Sequence, residues 1–343
     1  MLLTGSELRV LQIHPTRRCN LRCLHCYSSS APEERDALSV ALLGPVIRDA
    51  AELGYNMVSI SGGEPLLYPD LSALLKTGRD AGMITALVTN GLLLNPTKIR
   101  ELAGSIDLIA ISLDGAPERH NWMRNAPHAF EHMEQRLSYL RDASLAFGFV
   151  FTLTNDNLYD LEWAANFAVE QGAVLLQIHP LEPVGRAAGM AGLEPPSDIE
   201  AARAWLIAER LQEIHSGKLH VAFDFVRPRE AASLLEMLSS FSAAGRISPL
   251  VIEDDGSLVP LQYGFPRQYS LGNLRQESLP VLAARWQASG AEAFEQLRQT
   301  AIAQLRSSES LFVDLYDRIA RAAQAPIERL CQIAERATLV YAE

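Results

Sequence analysis

Three of the chain's four cysteines fall within eight residues, in Cys19-Asn20-Leu21-Arg22-Cys23-Leu24-His25-Cys26-Tyr27, and the fourth, Cys331, stands near the C-terminus. A disulfide framework would pair and disperse its thiols, whereas thiols clustered this way more often bind metal. Three thiolates at spacings of four and three residues can fold around one face of an iron–sulfur cube and leave one iron open. A structural zinc with His25 as fourth ligand is a second reading, although zinc ligands usually come in two separated pairs, and a chance cluster of buried cysteines is a third. A further candidate is Ser61-Gly62-Gly63-Glu64-Pro65. Its two glycines would let a ligand approach the backbone, and its carboxylate could accept hydrogen bonds from an ammonium group. Arg17, Arg18 and Arg22 flank the cysteine loop. Positive charge there would lower thiol pKa values or dock an acidic electron carrier, unless the three are simply solvated.

Such loops need rigid elements beneath them. From Val10 to about His179 short apolar or β-branched runs alternate with amphipathic stretches, the pattern of repeated strand–helix units around a parallel sheet. The strand candidates are Val10–His14, Met57–Ser61, Ile84–Thr89, Leu108–Leu113, Phe149–Thr154 and Leu175–His179. An α/β barrel and a doubly wound sheet both place ligands at the C-terminal ends of strands, which is where the cysteine and Gly-Gly-Glu loops fall. A linker through Pro196 leads to a helix from about Asp198 to His215, then a possible strand at His220–Phe225. Asp255-Gly256 between apolar runs predicts a hairpin over Leu250–Val259, and the rest, Glu277 to Glu343, reads as helices. The 343 residues are 48% apolar and 21% charged, a soluble globular composition. With 41 acidic against 30 basic residues the formal charge is −11, which disfavours nucleic acid and anionic membranes as partners. No apolar run approaches the roughly 20 residues that span a bilayer, and Glu7 and Arg9 interrupt any signal-peptide core, so a cytoplasmic location is expected.

Taken together, the three-cysteine loop after the first strand and the Gly-Gly-Glu loop after the second resemble the radical S-adenosylmethionine (SAM) superfamily, with Tyr27 directly after the third cysteine also matching. The likeness extends to about Arg186 through Thr89-Asn90-Gly91, Ser112-Leu113-Asp114-Gly115, His120-Asn121, Arg124, Asn155 to Leu158 and Pro183-Val184-Gly185-Arg186. It implies a partial (β/α)6 TIM-type barrel over residues 1–215 and a smaller, mainly helical extension with a β-hairpin over 216–343. It further implies one 4Fe-4S cluster on Cys19, Cys23 and Cys26, with SAM on the open iron. Glu64 and the backbone around Gly62 and Gly63 would hold the SAM amino group, Ser112 and Arg124 its carboxylate, and Tyr27 the adenine edge, while Asn90 and Asp114 would touch the cofactor or stabilise turns. The implied chemistry is reductive cleavage of SAM to a 5′-deoxyadenosyl radical that removes a hydrogen atom from a substrate, with a flavodoxin or ferredoxin-like reductant as partner.

The extension resembles a SPASM or twitch segment, in which a hairpin delivers a cysteine after a Val-Pro pair; here Leu261 follows Val259-Pro260, so auxiliary clusters are not expected. Cys331 reads as a buried helical residue, with a hydrogen-atom donor as the sharper alternative. Relatives of this branch imply a ribosomal peptide substrate, or alternatively a tetrapyrrole or small metabolite. A non-catalytic iron–sulfur scaffold or redox sensor is the reading outside enzymology.

Overall fold

A computed structural model describes residues 8–237 and 247–324. Seven parallel strands run in chain order: β1 (Val10–Ile13), β2 (Met57–Ile60), β3 (Ile84–Thr89), β4 (Leu108–Ser112), β5 (Phe147–Leu153), β6 (Leu175–Pro180) and β7 (His220–Phe223). The connections carry α1 (Val40–Glu52), α2 (Leu71–Asp80), α3 (Pro96–Leu102), α4 (Pro117–Met123), α5 (Ala129–Asp142), α6 (Leu161–Gln171) and α7 (Asp198–Ile214). Local chemistry starts several of these helices. Ser39 caps α1 by accepting from the Leu42 amide, Asn95 caps α3 ahead of Pro96, and Ser197 and Glu200 form a reciprocal capping box on α7.

Alternation decides which face each strand buries. Leu11 and Ile13, Val58 and Ile60, and Leu176 and Ile178 are completely covered. Gln12, Ser59, Ser112, Val150, Thr152, Gln177 and His179, on the opposite face, are half-buried and line the inside of the curved sheet. The strands do not close into a barrel.

Beyond β7 come β8 (Phe225–Val226), α8 (Pro228–Met237), β9 (Leu250–Ile252), β10 (Ser257–Pro260), β11 (Gly272–Asn273), α9 (Leu279–Ser289), α10 (Ala291–Arg306), β12 (Val313–Asp314) and α11 (Leu315–Ala323). The expected hairpin is β9–β10, turning at Gly256 with φ 86°. Its β9 strand pairs parallel to β1, Leu11 opposite Leu250 and Ile13 opposite Ile252, giving a ten-strand sheet ordered β11-β10-β9-β1-β2-β3-β4-β5-β6-β7. Residues on both sides of 215 therefore share one sheet: β7 extends one edge and the hairpin the other. Cys331 lies outside the described residues.

Candidate functional site

The cysteine loop leaves the C-terminal end of β1 and folds back on itself. The Cys19 amide donates to the Ala31 carbonyl at 3.1 Å and the Ala31 amide to the Arg17 carbonyl at 3.2 Å. Cys19 and Cys23 are buried and pack with Leu21 in one small apolar cluster, against which the less buried Cys26 rests. Burial pushes the Cys19 thiol up to about 12 and raises Cys23 as well. This corrects the expectation that flanking arginines lower the thiol pKa values. Arg17 is spent on Glu34 and Asp254, Arg22 pairs with Glu33, and Arg18 points into solvent.

The Gly-Gly-Glu loop grips this loop from below. The Gly63 amide donates to the Thr16 carbonyl and the Glu64 amide to the Arg18 carbonyl, both at 2.9 Å. A methyl group at Gly63 would overlap the Arg18 carbonyl, so the close approach these glycines allow is that of the cysteine loop's own backbone. Glu64 is completely buried. Its Oε1 accepts from the Leu66 amide at 3.0 Å and the Thr89 hydroxyl at 2.7 Å, and its Oε2 from the Asn90 amide at 2.9 Å. Burial raises its pKa despite these bonds. These three donors, from the turn after the Gly-Gly-Glu loop and from the end of β3 and the residue after it, let Glu64 brace one loop against the next. Asn90 does reach the cysteine loop, donating to Asn20 Oδ1 at 2.9 Å with its amide nitrogen 4.0 Å from Cys19 Sγ.

Arg124 and Asp114 also meet, though differently from expectation. Arg124 ends α4, buried, with Nη2 donating to Asp114 Oδ1 at 2.9 Å, Nε 2.6 Å from Oδ2, and Nη1 3.8 Å from Cys23 Sγ. The guanidinium thus pairs with Asp114 on one side and faces Cys23 on the other. Burial would raise the Asp114 pKa, but Arg124, His25 and His120 outweigh it and hold the carboxyl below its usual range. His25 and His120 each lie 3.8 Å from Asp114, and burial lowers each imidazole to about 4, so both are neutral at pH 7. Of the remaining expected residues, Tyr27 stands 3.4 Å from the Ser61 hydroxyl and packs edge-on to His14 and Tyr263. Ser112 sits at the end of β4 on the inner face, in register with Val150 and, beyond it, Gln177.

Further residues, to which the sequence assigned no role, complete the site. Arg186 donates to the Cys23 carbonyl at 2.8 Å and the Ser30 carbonyl at 2.7 Å, and Gly185 lies so close that a methyl there would overlap the Cys26 and Tyr27 carbonyls. Asp254, in the hairpin, accepts from Tyr263 at 2.6 Å and ion-pairs with Arg17 at 3.2 Å. Deeper on the inner face, His179 Nδ1 is 3.0 Å from Asp224, which also accepts from Gln177 at 2.8 Å, and His179 Nε2 is 3.3 Å from Glu182. Burial works against the charged imidazole, but these two carboxylates raise its pKa well above the usual value.

The donor set suits an iron–sulfur group. Buried thiols with raised pKa values gain from a metal that deprotonates them, and thiolate is the ligand such clusters use. His25, the fourth ligand a zinc site would use, instead has its Nε2 3.8 Å from Asp114. Comparison with known proteins agrees: residues 13–168 match the radical SAM superfamily. That match covers just under half of the chain. The chain is 32% identical over 208 residues to the AdoMet-dependent heme synthase of Methanosarcina barkeri, covering 60% of this chain and 59% of that protein. It is 28% identical over 249 residues to the PqqA peptide cyclase of Ruegeria pomeroyi, covering 71% and 65%. The chain thus spans less than two thirds of either relative. Its fold is similar to that of Streptococcus suis SuiB bound to S-adenosylmethionine, with a TM-score of 0.68 and 18% identity, covering 84% of this chain and 68% of SuiB.

Proposed function

We propose that this radical SAM protein binds one 4Fe-4S cluster through Cys19, Cys23 and Cys26 and, with SAM on the open iron, removes a hydrogen atom from a substrate held inside the curved sheet. The observation that carries this reading is the gathering of three thiols at the C-terminal end of β1, clamped by the Gly-Gly-Glu loop and Arg186. The bound cluster and SAM would supply reductive cleavage of SAM to a 5′-deoxyadenosyl radical. The chain's own part is positional. Glu64 and Asn90 fix the cysteine loop at the end of β3, and Tyr27 and Ser112 lie on the inner side of the sheet near it. SAM's amino group would meet backbone around Gly62 and Gly63, with Glu64 behind them. A flavodoxin or ferredoxin-like protein would deliver the electron, and Arg18, exposed and without an ion pair among the described residues, offers it a contact. The test is anaerobic reconstitution, where loss of cluster absorbance on replacing all three cysteines by Ala is expected and its retention would sink the ligand assignment.

For the substrate we propose a ribosomal peptide. Glu182 and Asp224 surround His179 on the inner face, and Asp314, whose carboxyl burial pushes up to about 6, senses the same imidazole. Carboxylates outnumbering one cation make this face unfavourable for a ligand bearing several propionates. A tetrapyrrole substrate is the second reading, favoured by the identity to the heme synthase. Faster 5′-deoxyadenosine formation with a coproporphyrin-type tetrapyrrole, and none with candidate precursor peptides, would select the second.

A further inference from the structure

The ion pair of Arg124 and Asp114 lies between α4 and the cysteine loop, out of solvent. Arginine keeps its charge and carries its five N–H groups in a fixed planar fork. Here Nε and Nη2 are taken by Asp114, leaving Nη1 aimed at Cys23 Sγ, 3.8 Å away. Among the described residues Arg124 is the cation that meets that sulfur, while His25 and His120 flank the carboxylate at 3.8 Å. Asp114 is itself held in place, since its amide donates to His120 Nδ1 at 3.3 Å and its carbonyl accepts from Asn157 at 2.9 Å. Hydrogen bonds to cluster sulfurs and the local charge are two of the protein's levers on an iron–sulfur potential.

We infer that Arg124 acts on the cluster through the Cys23 sulfur, easing its reduction, and that Asp114 sets how much of the guanidinium charge reaches that sulfur. The inference rests on Cys23 being a cluster ligand. A donor at the sulfur stabilises the more negative, reduced state, so Arg124 raises the reduction potential, whereas Asp114 opposes it. The two residues therefore have opposite signs, which a merely structural role would not produce.

The experiment is an EPR-monitored redox titration of the reconstituted full chain without SAM, on the native protein, Arg124→Gln and Asp114→Asn. We expect Arg124→Gln to lower the reduction equilibrium constant about tenfold, about 59 mV for one electron, and Asp114→Asn to raise it. Unchanged midpoints, or both variants moving in one direction, would overturn the inference. An unchanged midpoint accompanied by a tenfold loss of SAM affinity in Arg124→Gln would return the arginine to the SAM carboxylate. If the glutamine variant fails to load iron, Arg124→Lys keeps the charge but cannot hold Asp114 and Cys23 together; a native midpoint there likewise overturns it. Absence of a cluster in the native protein would instead defeat the ligand reading.

Discussion

Glu64 shows how a residue can be found in a sequence while most of its contacts stay hidden. Its place after two glycines marks it as special, but the partners that define its role, Thr89 and Asn90, lie 25 and 26 residues away and meet it only once β2 and β3 are side by side. Because its oxygens accept three protein donors, Glu64→Gln would set an amide N–H against backbone N–H groups in a dry site, costing about 1–3 kcal/mol of stability. A lowered urea midpoint is expected, and an unchanged one would contradict the bracing role of these contacts. The pairing of Arg124 with Asp114 was equally hidden, although His120 and Arg124, four residues apart along α4, carried a helical-spacing signal that could have been read. His14 offers a separate test. It is completely buried beside Tyr27 and Tyr263, neither ring nitrogen has a hydrogen-bond partner among the described residues, and burial lowers its pKa from 6.5 to about 3. The unfolded chain binds a proton there that the folded one refuses, so the contribution is intact above pH 6.5 and is lost as pH falls toward 3, at about 1.4 kcal/mol per unit. In His14→Phe the decline of stability over that range should be shallower by this amount; identical pH profiles from urea titrations would contradict the assignment.

At the level of elements, the six principal strands were legible because a fully covered row alternates with a half-buried one, and their ends shifted by no more than two residues. What local pattern could not convey was pairing across the chain. β9 joins β1 although some 239 residues separate Leu11 from Leu250, and this places Asp254 against Arg17 beside the cysteine loop. Leu261 takes the position where a ligand cysteine was looked for. It is buried in a left-handed conformation with φ 68°, so the turn persists with an apolar side chain filling it. The loop after β6 bears on the cysteine loop from the other side. Gly185 has φ 60° and no room for a Cβ beside the Cys26 and Tyr27 carbonyls, so Gly185→Ala should displace both residues and reduce iron incorporation severalfold while leaving far-UV circular dichroism near native. Full iron loading in that variant would mean the two loops are not coupled.

Over the whole molecule, the loops after β2 and β6 each hold the cysteine loop after β1 at the C-terminal ends of the strands, and the hairpin pairs with β1 beside them. The charge of −11 carries no information about this site, whose electrostatics are set by a few buried groups. No described helix is long and apolar enough to cross a membrane. With three clustered cysteines and Leu261 at the hairpin, the reconstituted protein should contain about four iron and four sulfide per chain, and twice those amounts would reveal a second cluster. The most direct measurement of the central claim is the formation of 5′-deoxyadenosine from SAM by the anaerobically reconstituted, chemically reduced protein, followed beside the variant lacking Cys19, Cys23 and Cys26. The native chain should form it and the variant should not; no 5′-deoxyadenosine from a native chain that holds its full iron would contradict the account and leave an iron–sulfur scaffold in its place.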